Sequence, residues 1–362
     1  MASLRYLLIR AWNGCENPVM GREFRARMRG ARSYLISGGY TLLVMACVLV
    51  VYYHLARETA PQLLNRHAAD TGRAIWTWGC VSQALLLPLV VPAFTCGAIT
   101  LEREREMLEL LLLTRQSPFQ ICLGKLASGA GLGLVLVLAS IPVLSLSLVL
   151  GGVAPTEIIA CITVLAASVI AAGALGLAAS ALAPKTATAG AVSYLLVGFT
   201  LIGVPLLLYF MEQAYMLSSS GAELGIVMML IACMATTFIP GMGLAAVLHA
   251  ARRRRTSKAA SRSWWLLAGG LSWSVLLSLL YLPGMTELLL QGWVLLTLHP
   301  MAVIWDLMNN DSATGIRTGR GSAAFLVLAP GYRWQICSLV YALSAVWFFQ
   351  IAVLRVRSFR AG

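Results

Sequence analysis

The residues of this chain whose types and spacing could do chemistry are concentrated in one charged stretch, Leu101–Lys125. Read as a helix, the stretch carries Glu102, Glu106 and Glu109 at positions i, i+4 and i+7, which share one face. Like charges at this spacing repel one another by roughly a few tenths of a kcal/mol per pair, and a basic partner surface would relieve the repulsion. We therefore interpret the stretch as a helix that contacts another protein. The alternative is a solvated loop helix without a partner.

The same stretch also has an apolar side. Met107, Leu108, Leu111 and Leu112 form a stripe elsewhere on the predicted helix. We expect the helix to end before Ser117-Pro118, where the next helix starts. A helix with these two faces suits the inner surface of a membrane, where it can touch a second protein.

Motifs for catalysis or for a bound cofactor are missing from the sequence. Gly124-Lys125 is followed by Leu126 and lacks the GxxxxGK[ST] spacing of a nucleotide-binding loop. There is no HExxH, no GxSxG and no paired aspartate cluster, and the eight cysteines form no CxxC pair. We therefore expect no catalytic residues, no metal site and no cofactor in this chain, and no ATP hydrolysis by it.

The composition is that of a membrane protein. Apolar residues make up 59% of the chain and charged residues only 11%, with a mean hydropathy of +0.81. Soluble domains are typically about 25% charged. Long apolar runs alternate with short polar ones, and about 20 helical residues cross a hydrocarbon core of ~30 Å. The predicted fold class is all-α, a polytopic membrane helix bundle with about eight transmembrane helices.

Basic residues between the apolar runs indicate the orientation of the bundle. The net charge of +13 would suggest nucleic acid in a soluble protein, but here membrane lipids are the expected partner and nucleic acid is not. Most of the 27 lysines and arginines fall on the side that holds residues 101–125. Because cytoplasmic loops carry such an excess, we expect a multi-pass membrane protein with both termini in the cytoplasm. The predicted spans are about 33–53, 75–100, 126–150, 158–182, 187–210, 224–249, 264–282 and 336–353.

The N-terminal region reads as a basic amphipathic helix rather than a signal peptide. Asn17 would cap it and Pro18 would occupy its first position. Its two faces are predicted to be an apolar one of Met20, Phe24 and Met28 and a basic one of Arg22, Arg25 and Arg29. Glycines inside the spans, such as Gly173 and Gly176, are expected to let neighbouring helices pack closely.

A broken apolar segment precedes the last span. Glu287–Leu298 is apolar but short, Pro300 interrupts it, and a second short run follows at Met301–Met308. Neither run alone crosses ~30 Å. We interpret the pair as a re-entrant or interfacial hairpin with His299 and Pro300 at its break. The alternative is a kinked ninth span through Pro300.

With these features the chain resembles the type-2 permease family of ABC transporters, the membrane subunits of ABC exporters. In that family an acidic segment, a Leu-Glu-Leu-Leu core, a turn with threonine and a closing Gly-Lys follow the second span. The matching residues here are Glu102, Glu104 and Glu106, then Leu108 to Leu111, then Thr114 and Ser117, then Gly124 and Lys125. The stretch from Asn17 to Arg25 resembles the family's N-terminal connecting helix.

The resemblance implies a mechanism and partners. A coupling helix docks on a separate ABC ATP-binding subunit, which binds ATP and Mg, and the permease pairs with a second copy or a sister permease. The residues implied in docking are Glu102, Glu106, Met107, Leu108, Glu109, Leu111 and Thr114. The residues implied in the inner-leaflet connecting helix are Asn17, Pro18, Arg22, Glu23, Arg25 and Arg29.

The resulting organisation has four regions. They are a cytoplasmic amphipathic connecting helix at 1–32, a six-span permease core at 33–250 with its cytoplasmic coupling helix at 101–117, a basic cytoplasmic loop at 251–263, and a two-span extension at 264–362 that includes the extracytoplasmic broken segment 283–334. Family members of the basic type have six spans with a re-entrant element before the sixth, so the extension is a departure.

The leading hypothesis is thus the permease subunit of an ABC exporter with an unidentified substrate. A non-transport membrane scaffold or assembly factor is the alternative. A membrane enzyme or secondary carrier is disfavoured, because the sequence lacks a catalytic set and has essentially no ionisable residue at mid-depth in its spans.

Overall fold

A computed structural model describes residues 18–58, 64–113, 116–203, 300–301, 303–304 and 333–360. This part of the chain is helical and contains no β-strand, which confirms the predicted all-α bundle. In chain order the helices are α1 Pro18–Met28, α2 Ala31–Glu58, α3 Leu64–Thr95, α4 Thr100–Glu104, α5 Met107–Leu113, α6 Pro118–Leu150, α7 Pro155–Leu182, α8 Thr186–Gly198, which continues into a π-helical turn at Phe199–Gly203, and α9 Arg333–Arg360.

Five described stretches are long and apolar enough to cross a membrane. They are Tyr34–His54, Ala68–Glu104, Pro118–Leu150, Pro155–Leu182 and Cys337–Phe359. They correspond to the first four predicted spans and the last one, and Thr186–Leu201 is a shorter apolar helix at the place of the fifth. The predicted spans at 224–249 and 264–282 and the basic loop at 251–263 lie outside the described residues.

Two spans begin earlier than the sequence predicted. The polar residues expected in a loop before the second span, including Asp70, instead form the first turns of α3. The third span begins at Pro118, because Ser117 and Gln120 form a capping box: Ser117 Oγ accepts from the Gln120 N–H at 3.2 Å, and Gln120 Oε1 accepts from the Ser117 N–H at 3.0 Å.

Helix α7 lies at the centre of the described bundle and is rich in alanine, glycine and serine. Small residues bring its backbone close to the neighbouring helices. A Cβ atom at Gly176 would lie 2.1 Å from Thr95 Oγ1, and one at Gly133 of α6 would lie 2.8 Å from Val169. The expected role of the glycines in close helix packing is therefore confirmed.

One end of the bundle, which we call the α4 end, gathers the end of α9 and the start of α6. The Arg103 guanidinium of α4 lies 5.9 Å from the centre of the Phe359 ring. The rings of Phe119 and Phe349 pack edge to face with their centres 5.3 Å apart. The C-terminal end of α9 is therefore at the same end of the bundle as α4.

The opposite end is closed by the loop between α6 and α7. Gly151 and Gly152 have φ values of +85° and +86°, which glycine adopts readily. A Cβ atom at Gly152 would lie only 2.1 Å from the Ala69 carbonyl oxygen of α3. Beside the loop, Arg73 Nη2 donates to Glu157 Oε1 at 2.9 Å and joins α3 to α7.

The described part of the broken segment packs on the main core. Pro300 is buried, and Val303 and Ile304 belong to the main cluster of buried side chains, with Met301 packed against it. Helical geometry is present at residues 300–301 and 303–304. His299 lies outside the described residues, and the choice between a hairpin and a ninth span stays a prediction.

Candidate functional site

The charged stretch after the second span forms two short helices, α4 and α5. Glu106, between them, has φ +59°, a left-handed conformation that is unfavourable for residues other than glycine. This conformation turns the chain and corrects the expectation of one continuous helix. Glu102 therefore lies on a different helix from Glu109, and the three glutamates do not form a single stripe.

A buried ion cluster fixes α4 to two other helices. Lys125 of α6 is 1% exposed, and its Nζ lies 3.0 Å from Glu23 Oε1 of α1 and 2.6 Å from Glu102 Oε1 of α4. Ser128 Oγ donates to the second oxygen of Glu23 at 3.0 Å. A buried ammonium group requires such counter-charges, because burying it unpaired would be very unfavourable. The cluster therefore joins α1, α4 and α6 at one point.

The start of α4 is held by a side chain of α7. Ser180 Oγ accepts hydrogen bonds from the backbone N–H groups of Ile99 at 2.9 Å and Thr100 at 3.0 Å. The first N–H groups of a helix have no partner within the helix itself. Ser180, which is buried, supplies the missing acceptor from a neighbouring helix and so fixes the position of the α4 start.

The end of α4 is tied to the turn between α7 and α8. Glu104 Oε1 accepts from the Thr186 backbone N–H at 2.7 Å, and Glu104 Oε2 accepts from Thr186 Oγ1 at 2.9 Å. The Arg103 guanidinium donates to the Ala183 carbonyl oxygen. These bonds and the ion cluster hold α4 from both sides.

Helix α5, in contrast, exposes most of its side chains. Leu108 is buried, and Glu106 and Glu109 are exposed. Three large apolar side chains are also exposed, namely Met107 at 58%, Leu110 at 66% and Leu113 at 82%. An apolar patch of this kind beside carboxylates indicates a contact surface.

Helix α1 lies against α6, with Arg22 and Arg25 exposed and Arg27 partly buried. Phe24 packs near Gly131, where a Cβ atom would lie 3.3 Å from the phenylalanine ring. Arg27, which the sequence did not single out, donates to the Phe94 carbonyl oxygen at 2.8 Å. Burial lowers the pKa of Arg27, while the nearby Glu23 carboxylate opposes that shift. Arg22 and Arg25 of α1 are exposed, and so is Arg29, which directly follows the helix.

The remaining predicted site residues fall in three groups. Leu111 is partly buried and faces the space between α1 and α5. Asn17 and Thr114 lie outside the described residues, and Pro18 is the first residue of α1. The sequence missed the part that Lys125 plays, because its partners Glu23 and Glu102 are far from it in the chain.

A cleft of about 960 Å³ separates α1 from α4 and α5. Its charged lining consists of Arg22, Glu23, Arg27, Glu102, Arg105 and Lys125. Its apolar lining comes from the end of α3, from Leu101 and from α5. The cleft is thus bordered by both of the helices that the resemblance associates with docking.

Comparison with known proteins gives one family. A family model described as "ABC-2 family transporter protein" matches residues 18–223, which is more than half of the chain. The matched region begins at the first residue of α1 and includes α4, α5 and the ion cluster. No curated protein matches the chain.

Proposed function

This chain belongs to the ABC-2 transporter family, and from that premise we propose that it is the transmembrane permease subunit of an ABC exporter. It would move its substrate across the bacterial cytoplasmic membrane with ATP hydrolysed by a separate subunit. The family match and the five described spans establish a multi-pass membrane permease. Export and the use of ATP are the proposed steps.

The arrangement of α4 and α5 carries the proposal. Helix α5 offers an exposed apolar and acidic surface to a partner, while α4 is bonded to α6, α7 and α8 and is linked to α1 through Lys125. A push on α5 by an ATP-binding subunit would pass through α4 to these helices. The family implies association with such a subunit, which would hold ATP and Mg. The second permease in the complex would be another copy or a sister chain.

Two observations support the proposed orientation. The excess of lysine and arginine on the α4 side supports a cytoplasmic location for α4 and α5. The contact between Arg103 and Phe359 supports the same location for the end of α9. If both ends of the chain lie on the same side of the membrane, the chain crosses it an even number of times, as in the eight-span prediction.

Capture of the ATP-binding subunit tests the docking surface. We expect the double reversal Glu106→Lys and Glu109→Lys to reduce recovery of the ATPase with tagged permease from native membranes by about tenfold, because it places like charges on the expected basic partner surface. Arg357→Glu is the control, since it reverses an exposed charge at the same end of the bundle but off α5. It should leave recovery unchanged.

Two results would contradict the proposal. If the double reversal left both ATPase recovery and stimulation of ATP hydrolysis at the level of the control, α5 would not be the docking surface. If the ATPase bound normally but ATP produced no movement of the bundle, the chain would be a membrane scaffold. Movement can be followed by a spin-label distance between α5 and α9 with and without ATP.

A further inference from the structure

The cleft between α1 and α4–α5 has the chemistry of an amphipathic anion site. Four basic and two acidic side chains line it, so cations outnumber anions by two. The two carboxylates are those of the ion cluster with Lys125, and Arg27 donates to the Phe94 carbonyl oxygen. Arg22 and Arg105 are exposed, and neither guanidinium group has a hydrogen bond or an ion pair in the described part of the chain.

The rest of the lining is apolar. Phe94 and Ala98 come from the end of the second span, and Met107, Leu110 and Leu111 come from α5. Apolar side chains do not stabilise a hydrated inorganic anion, whereas a hydrocarbon chain is stabilised when it covers apolar surface. The cleft therefore fits a ligand with a negatively charged head and an apolar tail.

The depth of the cleft agrees with a lipid. At a rise of ~1.5 Å per residue, the part of α6 between Gly131 and Leu150 is roughly 28 Å long. The part between Lys125 and Leu150 is roughly 37 Å long. A hydrocarbon core is about 30 Å thick, and the headgroup layers extend the bilayer to about 40–45 Å. With Leu150 at one edge of the core, Lys125 lies in the headgroup layer on the other side. The cleft, which Lys125 lines, opens at that level.

We propose that this cleft binds one anionic phospholipid, with its phosphate between Arg22 and Arg105 and the start of its acyl chain along Phe94, Met107 and Leu110. Arginine is well suited to this role, because its planar fork of N–H groups matches a phosphate. The bound lipid would fill the space between α1 and α5, the two helices nearest the proposed ATPase contact. The site stands on the cleft itself and does not depend on ATPase docking.

Native mass spectrometry of the purified full chain in detergent tests the site. We expect one phosphatidylglycerol molecule to stay bound at lipid concentrations at which phosphatidylcholine does not. The double variant Arg22→Gln and Arg105→Gln should weaken phosphatidylglycerol binding by about tenfold, because both charge-assisted contacts to the phosphate are lost. Glycerol phosphate, which has the head without the tail, should not displace the lipid.

Arg25→Gln with Arg29→Gln is the matched control. It removes the same charge from two exposed arginines, one in α1 and one directly after it, that do not line the cleft. We expect its affinity for phosphatidylglycerol to stay within about twofold of the parent chain, as the lost charges are outside the phosphate contacts. All variants are first compared by gel filtration and thermal melting, so that a misfolded variant is replaced by the corresponding lysine substitutions.

Four results would overturn the proposal. Equal losses in the two double variants would indicate general surface attraction, and no loss in either would remove the arginines from the site. Displacement by glycerol phosphate would indicate a plain anion site. Protection of Arg22 and Arg105 from arginine-modifying reagents only when the ATPase is added, with no lipid retained by the chain alone, would assign the cleft to the protein partner. That last result would leave the proposed function intact.

Discussion

Lys125 connects three helices through a single ammonium group. Its replacement by methionine would leave the carboxylates of Glu23 and Glu102 close together without a counter-charge. Breaking a fully buried pair destabilises a protein by about 3–5 kcal/mol. Because the two carboxylates are 16% and 22% exposed, we expect about 2–3 kcal/mol for Lys125→Met. A lower thermal midpoint in detergent measures this loss.

A second variant separates charge from packing at this point. Adding Glu23→Gln and Glu102→Gln to Lys125→Met removes the repulsion while nearly preserving side-chain volume. We expect most of the lost stability to return, since a buried ion cluster can often be replaced by neutral residues at little cost. If Lys125→Met had the same melting temperature as the parent chain, the cluster would not be what holds α1, α4 and α6 together.

Glu106 has a backbone conformation that suits glycine. For an L-residue the left-handed region is unfavourable by about 1–2 kcal/mol, and glycine avoids this strain. Glycine also has greater freedom in the unfolded chain, which offsets about 0.5–1 kcal/mol of that stabilisation. We therefore expect Glu106→Gly to be neutral or to stabilise by up to about 1 kcal/mol. Glu109→Gly, inside α5, should destabilise by about 0.5–1 kcal/mol. Thermal melting of the two variants in parallel compares them, and the opposite order would exclude the left-handed turn.

The same residue explains why the sequence analysis went wrong in this stretch. The i, i+4, i+7 spacing of Glu102, Glu106 and Glu109 defines one face only if the helix is continuous. Glutamate is not a typical residue for a left-handed position, so nothing in its type signals a break. The pairing of Lys125 with Glu23 is equally invisible, because it joins residues from distant parts of the chain.

At the scale of elements, the loop between α6 and α7 depends on Gly152. Alanine there would combine φ +86° with a Cβ atom 2.1 Å from the Ala69 carbonyl oxygen. We expect Gly152→Ala to destabilise by about 2 kcal/mol, since the loop or α3 must move. Gly39→Ala is the control in mid-α2, where no other atom lies within 4 Å of the added methyl group. It should be neutral or stabilising by about 0.5 kcal/mol in the same melting assay.

Element types and the start of α6 were predictable, whereas the start of α3 was not. Apolar runs define the part of a helix that lies in hydrocarbon, so the first four spans and the last were located. Helices α3 and α6 extend beyond that part, where polar residues are solvated or paired, as Arg73 is with Glu157. Hydropathy therefore misses their first turns. Ser117-Pro118 is the local signal that predicted the start of α6, and the capping box at Ser117 explains it.

At the scale of the whole molecule, cysteine labelling tests the orientation. In a chain without its native cysteines, Ala154→Cys in the α6–α7 loop should react with a membrane-impermeant maleimide on intact spheroplasts. Lys185→Cys and Arg357→Cys, both exposed at the α4 end, should react only after the membrane is opened, because the α4 end is expected to face the cytoplasm. Labelling at 357 but not at 185 on intact spheroplasts would contradict an even number of crossings.

The left-handed turn at Glu106 separates α4, which is bonded to neighbouring helices, from α5, which exposes most of its side chains. Glu102, Arg103 and Glu104 bond α4 to its neighbours, whereas Leu108 is a buried side chain of α5. If α5 is the docking surface, as proposed above, exchanging residues 107–113 between related permeases, with Leu108 retained, would change which ATP-binding subunit is accepted without disturbing the membrane helices. Recognition of that subunit and the architecture of the pathway would then be free to diversify independently.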